Sequence, residues 1–292
     1  MQATPDHPPA AQPAPCQAMS LRGLALQALC TPDPAEKARR TQALFQAEQT
    51  DSPTLALDTR ATLDPDPAQP LPGRPDRPLL VPPMQVPHRS PFVPEGLAAL
   101  VHAVCHIEFN AINLALDAVW RFPGLPADFY CDWLRVAAEE ATHFGLLSDL
   151  LQDLGFAYGD FPAHDGLWEM CVKTQFDATA RMALVPRTLE ARGLDATPLI
   201  QARLRKVNTP DARRAIAILD VILRDEIGHV AVGNRWYRWL CDQQGLEPVA
   251  HYRALARQHN APRLRPPFNE AARRLAGFSQ LELDALQSQE TT

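Results

Sequence analysis

Two five-residue stretches carry the residue types best suited to chemistry: Glu139-Glu140-Ala141-Thr142-His143 and Asp225-Glu226-Ile227-Gly228-His229. Each contains a Glu-x-x-His pair preceded by a second acid. A spacing of three along a helix puts the carboxylate and the imidazole on one face, where both can reach a single metal ion. Thirteen glutamates and nine histidines scattered through 292 residues would give about 0.4 such pairs by chance at this helical-neighbour spacing, and the chain has two.

Positioning these pairs requires long helices, and four segments with helical periodicity follow one another at 95–122, 127–154, 167–193 and 210–243. In the second, Phe129, Trp133, Val136, Glu140, His143, Leu147, Leu150 and Leu154 recur three or four apart, an apolar stripe interrupted by the two ionisable residues. The fourth repeats the pattern with Leu219, Ile222, Glu226, His229, Gly233, Trp236 and Leu240, and Gly233 predicts a close helix approach. A single Glu108 falls on the stripe of the first segment, among Leu97, Val101, Val104, Ile112, Ala115 and Val119. A single Glu190 falls on that of the third, after Val172, Phe176, Thr179, Ala183 and Pro186. Pro186 should bend this helix just before its glutamate, because proline lacks one backbone donor and crowds the preceding turn.

The connections add topology. Pro123, Gly124 and Pro126 make the first link short and its two helices antiparallel. Residues 155–166 are long enough to cross the end of a bundle. Gly193 reads as a C-cap, with 197–207 as an extra short helix before Pro210. Glu-x-x-His follows the lone glutamate by 32 positions in the first helix pair and by 36 in the second, which reads as an internal pseudo-repeat. The expected fold is all-α: an antiparallel four-helix bundle over 95–245, a Pro-rich leader over 1–94 and a helical cap over 246–292.

Within the leader, residues 1–18 read as disordered, and Leu21 to Leu29 and Pro34 to Ala47 as a helical hairpin. Twelve prolines between 50 and 94 exclude regular structure there, leaving either a linker or an extended strap over the bundle. Six scattered cysteines without a C-x-x-C fit reduced thiols, no signal peptide opens the chain, and no apolar run of about 18 residues is evident, so a cytoplasmic protein is expected. A net charge of −6 argues against broad attraction to nucleic acid. The basic cluster Arg203, Arg205, Lys206, Arg213 and Arg214 reads as a solvated face, with an RNA-binding surface as the minor alternative.

Four inward glutamates need compensation, since an unpaired buried carboxylate costs several kcal/mol. Taken singly, Glu108 or Glu190 would read as a salt-bridged residue, Glu190 with Arg187 or Arg192. Taken together, four carboxylates balance two divalent cations, and oxygen-rich ligation with one imidazole per ion suits iron or manganese. Metal-bound imidazoles usually donate their second N–H to a carboxylate, so Asp225 is expected to orient His143 and Glu139 to orient His229. His102 and His106 either sit near the metals, as ligand or proton relay beside Glu108, or pack against the strap.

These residues resemble the ferritin-like di-iron carboxylate superfamily, whose pattern is Glu, Glu-x-x-His, Glu, Glu-x-x-His on a four-helix bundle. The phrases His102-Ala103-Val104-Cys105-His106-Ile107-Glu108, Gly159-Asp160-Phe161-Pro162, Glu190-Ala191-Arg192-Gly193-Leu194-Asp195 and Arg224-Asp225-Glu226 further resemble a bacterial branch of ferritin-like proteins of unassigned function. So do Gly73-Arg74-Pro75-Asp76-Arg77-Pro78 and Pro266-Pro267-Phe268-Asn269. The resemblance implies Glu108, Glu140, His143, Glu190, Glu226 and His229 as ligands of two iron ions, or of an Fe/Mn or Mn pair, with Glu140 and Glu226 able to bridge. It also implies an O2-dependent oxidoreductase or hydroxylase acting on a small organic substrate, served by a redox partner. Gly228 departs from the arginine of some oxygenases in the superfamily. The alternatives are a ferroxidase or iron-handling protein without an organic substrate, and a metal-stapled structural bundle.

Overall fold

Three helices start the same way, with a polar cap followed by proline at the first helical position. Asp33 accepts from the Glu36 amide, Thr209 from the Ala212 amide, and Glu247 from the Val249 and Ala250 amides. Proline there has no donor to lose and a φ already suited to the helix. A computed structural model of the chain describes residues 20–50 and 55–288, so the disordered reading of residues 1–18 falls outside the described residues. Over them the fold is all-α, with only two isolated β-bridges, Ser20 to Ala56 and Leu80 to Ala163.

The helices are α1 (Leu21–Leu29), α2 (Pro34–Glu48), α3 (Pro94–Arg121), α4 (Ala127–Asp153), α5 (Gly166–Lys173), α6 (Ala178–Leu184), α7 (Ala191–Val207), α8 (Pro210–Gln243), α9 (Pro248–Gln258), α10 (Glu270–Leu275) and α11 (Gln280–Ser288). A π-helical turn, Val185–Glu190, joins α6 to α7. Side-chain pairs fix the directions. On α4 and α8, Asp132 meets Arg235 and Trp236, Glu139 meets His229, His143 meets Asp225, and Asp153 meets Arg214. One set of numbers rises as the other falls, so α4 and α8 are antiparallel. By the same reasoning Pro186 against Gly233, Arg187 with Asn234 and Gln201 with Asp220 run the α6–α7 unit antiparallel to α8.

The third predicted helix, 167–193, is not one continuous element. α5 ends at Lys173, and Asp177 caps a new start, accepting from the Thr179 and Ala180 amides. The register therefore resets, and Val172 and Phe176 face outward, Phe176 being 93% exposed. Nor does this helix stop at Gly193; it continues to Val207, ending on Asn208 in the left-handed region at φ 54°. A glycine costs a helix interior only about 1 kcal/mol, which packing of Ala191, Leu194 and Leu204 outweighs.

The predicted bend at Pro186 takes the form of that π turn. Proline removes one donor, the turn widens, and Thr188 Oγ1 donates to the Ala183 carbonyl five residues back at 2.7 Å. The widened turn packs on Gly233, where a Cβ would stand 2.6 Å from two Pro186 ring carbons.

The Pro-rich leader lies across the helices as a strap, held by cations that the sequence did not single out. Arg22, wholly buried, donates to the Val119 and Trp120 carbonyls at the end of α3 and to those of Asp58 and Ala61 in the strap. Lys37, also buried, donates to the Leu29 and Gly73 carbonyls and to Asn113 Oδ1, and sits 4.8 Å from the centre of the Phe109 ring. Only glycine fits at position 73, where a Cβ would lie 2.1 Å from the Cys30 carbonyl oxygen. One further expectation changes. α3 is apolar and long enough to cross a membrane by length and composition, but 72% of its most apolar window is buried among the other helices.

Gly233→Ala should force the π turn away from α8 and lower stability by about 1–3 kcal/mol, the usual cost of overpacking. Chemical denaturation of the purified variant measures it, and an unchanged midpoint would contradict this contact.

Candidate metal centre

Three helices and the π turn contribute side chains to the centre. Glu108 comes from α3, Glu140 and His143 from α4, Glu190 from the last residue of the π turn, and Glu226 and His229 from α8. All six are buried. Two groups have ligand atoms mutually close enough to share an ion: Glu108, Glu140 and His143, and Glu140, Glu226 and His229. Glu140 belongs to both, which places it between them. Glu190 is in neither trio, yet the charges of Glu140 and His229 act on it directly.

Both imidazoles point the same way. Each turns Nδ1 toward the carboxylates and Nε2 toward an outer acid. His143 Nδ1 is 3.3 Å from Glu108 and 3.2 Å from Glu140, and its Nε2 is 3.1 Å from Asp225. His229 Nε2 is 2.7 Å from Glu139. The outer acids cross between helices, as expected from their position one residue before each glutamate: Asp225 of α8 braces the histidine of α4, and Glu139 of α4 braces that of α8. Neither outer acid is fully buried, so each imidazole is linked through a carboxylate toward solvent.

The electrostatics is that of too many acids in one dry space. Burial, and then the Glu140 charge, push Glu108 and Glu190 each up to about 8. The same causes raise Glu226 well above the carboxylate range. Glu140 goes the other way: burial opposes its ionisation, but His229 and His143 hold it below the usual range. Burial likewise opposes a charged His143, and hydrogen bonds to Glu108 and Glu140 outweigh it, raising the ring to about 12.

Hydrogen bonding leaves the centre unfinished. Both oxygens of Glu190, one each of Glu140 and Glu226, and Nδ1 of His229 are buried without a hydrogen-bond partner. Glu140 Oε1 and His229 Nδ1 stand 2.8 Å apart but without hydrogen-bond alignment. Buried polar atoms are rarely left unsatisfied. The Glu190 and Glu226 oxygens left without a partner suit a cation held among them, and these buried Glu/His groups could hold metal.

Other candidates go elsewhere. Arg187 pairs with Glu282, and exposed Arg192 leaves Glu190 equally unpaired. His106 bonds to Tyr158 Oη at 2.9 Å and to Asn110 at 3.1 Å, while His102 accepts from the Gly159 amide at 2.9 Å and stacks on Tyr158. The structure thus joins both histidines to the 156–161 loop and to neither ligand trio. Gly228 is exposed, and a side chain there would meet nothing within 4 Å. The ion pair of Glu282 with Arg187 has no local sequence signal, since the two lie 95 positions apart.

Fold and centre together define an all-helical protein with buried carboxylate–histidine groups able to hold metal. The chain belongs to the family described as "Protein of unknown function (DUF455)", which matches residues 30–284. It is 45% identical over 272 residues, 91% of this chain and 93% of the other, to a Haemophilus influenzae protein described as "Uncharacterized protein". No solved structure matches it.

If the centre holds a divalent metal, Asp225→Asn and Glu139→Gln should each weaken its binding by about 10–100-fold without unfolding the chain, the usual effect of losing a carboxylate behind a metal histidine. Competition with a chelator measures the change, and unaltered affinity in both would count against the bracing role. Stability should also depend on pH. Glu108 and Glu190 keep protons up to about pH 8 when folded but lose them near their ordinary 4.5 when unfolded. The metal-free protein should therefore lose stability as pH rises from 5 to 8, and His143, raised from 6.5 to about 12, adds to the loss above neutrality. Metal binding displaces those protons, so affinity should rise over the same range. Thermal melts of metal-free protein that strengthen with pH would contradict this charge arrangement.

Proposed function

We propose that α3, α4, the α6–α7 unit and α8 form a ferritin-like four-helix bundle around two iron ions, or an Fe/Mn pair, and that the protein is an O2-dependent oxidoreductase acting on a small organic substrate. The observation that carries this reading is the set of buried carboxylate oxygens without a partner on Glu190 and Glu226, gathered around the Glu140–His229 pair at 2.8 Å and the Glu108–His143 pair at 3.3 Å. Four carboxylates supply four negative charges, matching two divalent ions, and a donor set of oxygens with two imidazoles favours iron or manganese. When bound, such ions supply the electrons that reduce O2, and a redox partner restores them.

The remaining work belongs to the chain. Glu108, Glu140 and His143 would hold one ion, and Glu190, Glu226 and His229 the other, with Glu140 placed to touch both. Asp225 and Glu139 fix the imidazole tautomers by accepting from Nε2–H, and they carry protons between the centre and the surface. Trp133, Phe144, Leu147, Ile222 and Trp236, all buried, exclude water, so charge at the centre is stabilised by fixed protein dipoles.

Anaerobic loading with Fe(II) followed by exposure to O2 tests the reading. Wild type should take up about two ions per chain, the count set by charge balance with four carboxylates, and consume O2. Glu140→Ala should lose both properties. Binding below one ion per chain, or two ions with no O2 uptake, would reject the oxidoreductase.

A further inference from the structure

Glu190 differs from the other five side chains of the centre in how it is held. Both of its oxygens are buried without a hydrogen-bond partner, so its direction is inherited from the backbone of the π turn that it closes. A π turn takes up one residue more than an α turn, and one residue is about 100° of rotation, so the shape of the turn decides whether Glu190 faces the cluster. The other five stand on α3, α4 and α8, within continuous helices.

The C-terminal helices grip the turn on both sides of Glu190. From α11, Glu282 accepts from Arg187, three residues before it. From α9, Tyr252 Oη lies 3.0 Å from Thr188 Oγ1, two residues before it; the Thr188 hydroxyl already donates to the Ala183 carbonyl, so Tyr252 is the donor. From α10, Arg273 donates to the carbonyl of Ala191, the residue after it, and to both oxygens of Asp195. Asn234 of α8 is committed between the same parts, its Oδ1 accepting from Arg187 at 2.7 Å and its Nδ2 donating to the Ala276 carbonyl at 2.8 Å. The grip has an apolar seat of its own, where Leu194 and Val230 pack with Phe278, Leu283 and Leu286 in a cluster separate from the main core.

We infer that Glu282 is a positioning residue for Glu190: through Arg187 it holds the π turn in the shape that directs Glu190 inward, and α9 to α11 act as a clamp completing one half of the centre. The inference rests on the metal reading proposed above. It makes the two halves unequal. Glu108, Glu140 and His143 come from α3 and α4, joined by the short link 122–126, and hold their ion whether or not the clamp is tight. The ion of Glu190, Glu226 and His229 depends on it.

Titration of the metal-free full chain with Co(II), whose visible absorption reports its ligands, tests this through ions bound per chain and the spectrum together. Wild type should bind both ions. Glu282→Gln, which keeps the shape and removes the charge, should weaken one ion by about 10–100-fold, the usual effect of losing support behind a ligand, and leave the other ion and its spectrum unchanged. In a Glu190→Gln background the same substitution should have no further effect, because two changes that act through one group do not add. Tyr252→Phe removes a single hydroxyl and should weaken the same ion by a smaller factor; it decides the matter if Glu282→Gln fails to fold. Binding that both variants leave unaltered overturns the inference. So does equal weakening of both ions, or an undiminished effect of Glu282→Gln in the Glu190→Gln background, either of which a merely structural role would give. Wild type that takes up no Co(II) would reject the metal reading itself, and this inference with it.

Discussion

Putting four carboxylates and two imidazoles into one dry interior is the constraint on which the rest of this structure depends. Such charges repel one another and lose their hydration, so the helices bearing them must be held together by other means until something positive sits among the acids. The cross-bracing of α4 and α8 is one such means. Asp225 reaches His143 and Glu139 reaches His229, and the same antiparallel seam continues through Asp132 with Arg235 at one end and Asp153 with Arg214 at the other. Most of these contacts are partly exposed, and such pairs individually contribute little. Here they set register, which brings both Glu-x-x-His pairs to one depth.

The π turn answers the same constraint on the opposite helix. A regular helix through Pro186 would lose a hydrogen bond and clash with its own preceding turn. Widening to a π turn avoids both, and Gly233 leaves space for the proline ring. Glu190 closes this turn, so its position rests on contacts made by its neighbours. Arg187, enclosed by the Tyr237, Tyr252 and Phe278 rings and joined to Asn234 and Glu282, ties the turn to α8, α9 and α11. The C-terminal helices thereby support the buried Glu/His cluster from a distance without supplying any of its six side chains.

The leader uses buried cations in a comparable way. Arg22 satisfies two carbonyls at the end of α3 that no helical amide reaches, and Lys37 gathers the carbonyls of Leu29 and Gly73. Nothing in the local sequence marks them, because Arg22 and Lys37 stand in short amphipathic helices where a basic residue ordinarily faces water. The proline-rich stretch from 55 to 94 is ordered by these outside partners, since it has few backbone hydrogen bonds of its own. Tertiary contacts, which propensity does not register, turn a segment that excludes helix and sheet into a defined strap.

Periodicity and spacing alone determined the all-helical class, α1 and α2, the extents of α3, α4 and α8, and the stripes on which Glu108, Glu140, His143, Glu226 and His229 fall. These properties are local: a 3.6-residue repeat decides which side chains share a face, and caps and prolines decide where a helix begins. The pairing of Asp225 with His143 and Glu139 with His229 was also legible, because a residue one step from the ligand face must turn toward a neighbouring helix. What only the tertiary structure decided lies where local signals conflict or distant segments meet. Phe176 was read onto an apolar stripe and is exposed, because Asp177 restarts the helix; Gly193 looked like an end and is an interior residue, because neighbouring side chains outweigh its propensity. Glu190 is buried as its stripe predicted, but its lack of any hydrogen-bond partner, with Arg187 engaged instead by a glutamate 95 positions along the chain, depends on packing between segments that no window of sequence contains.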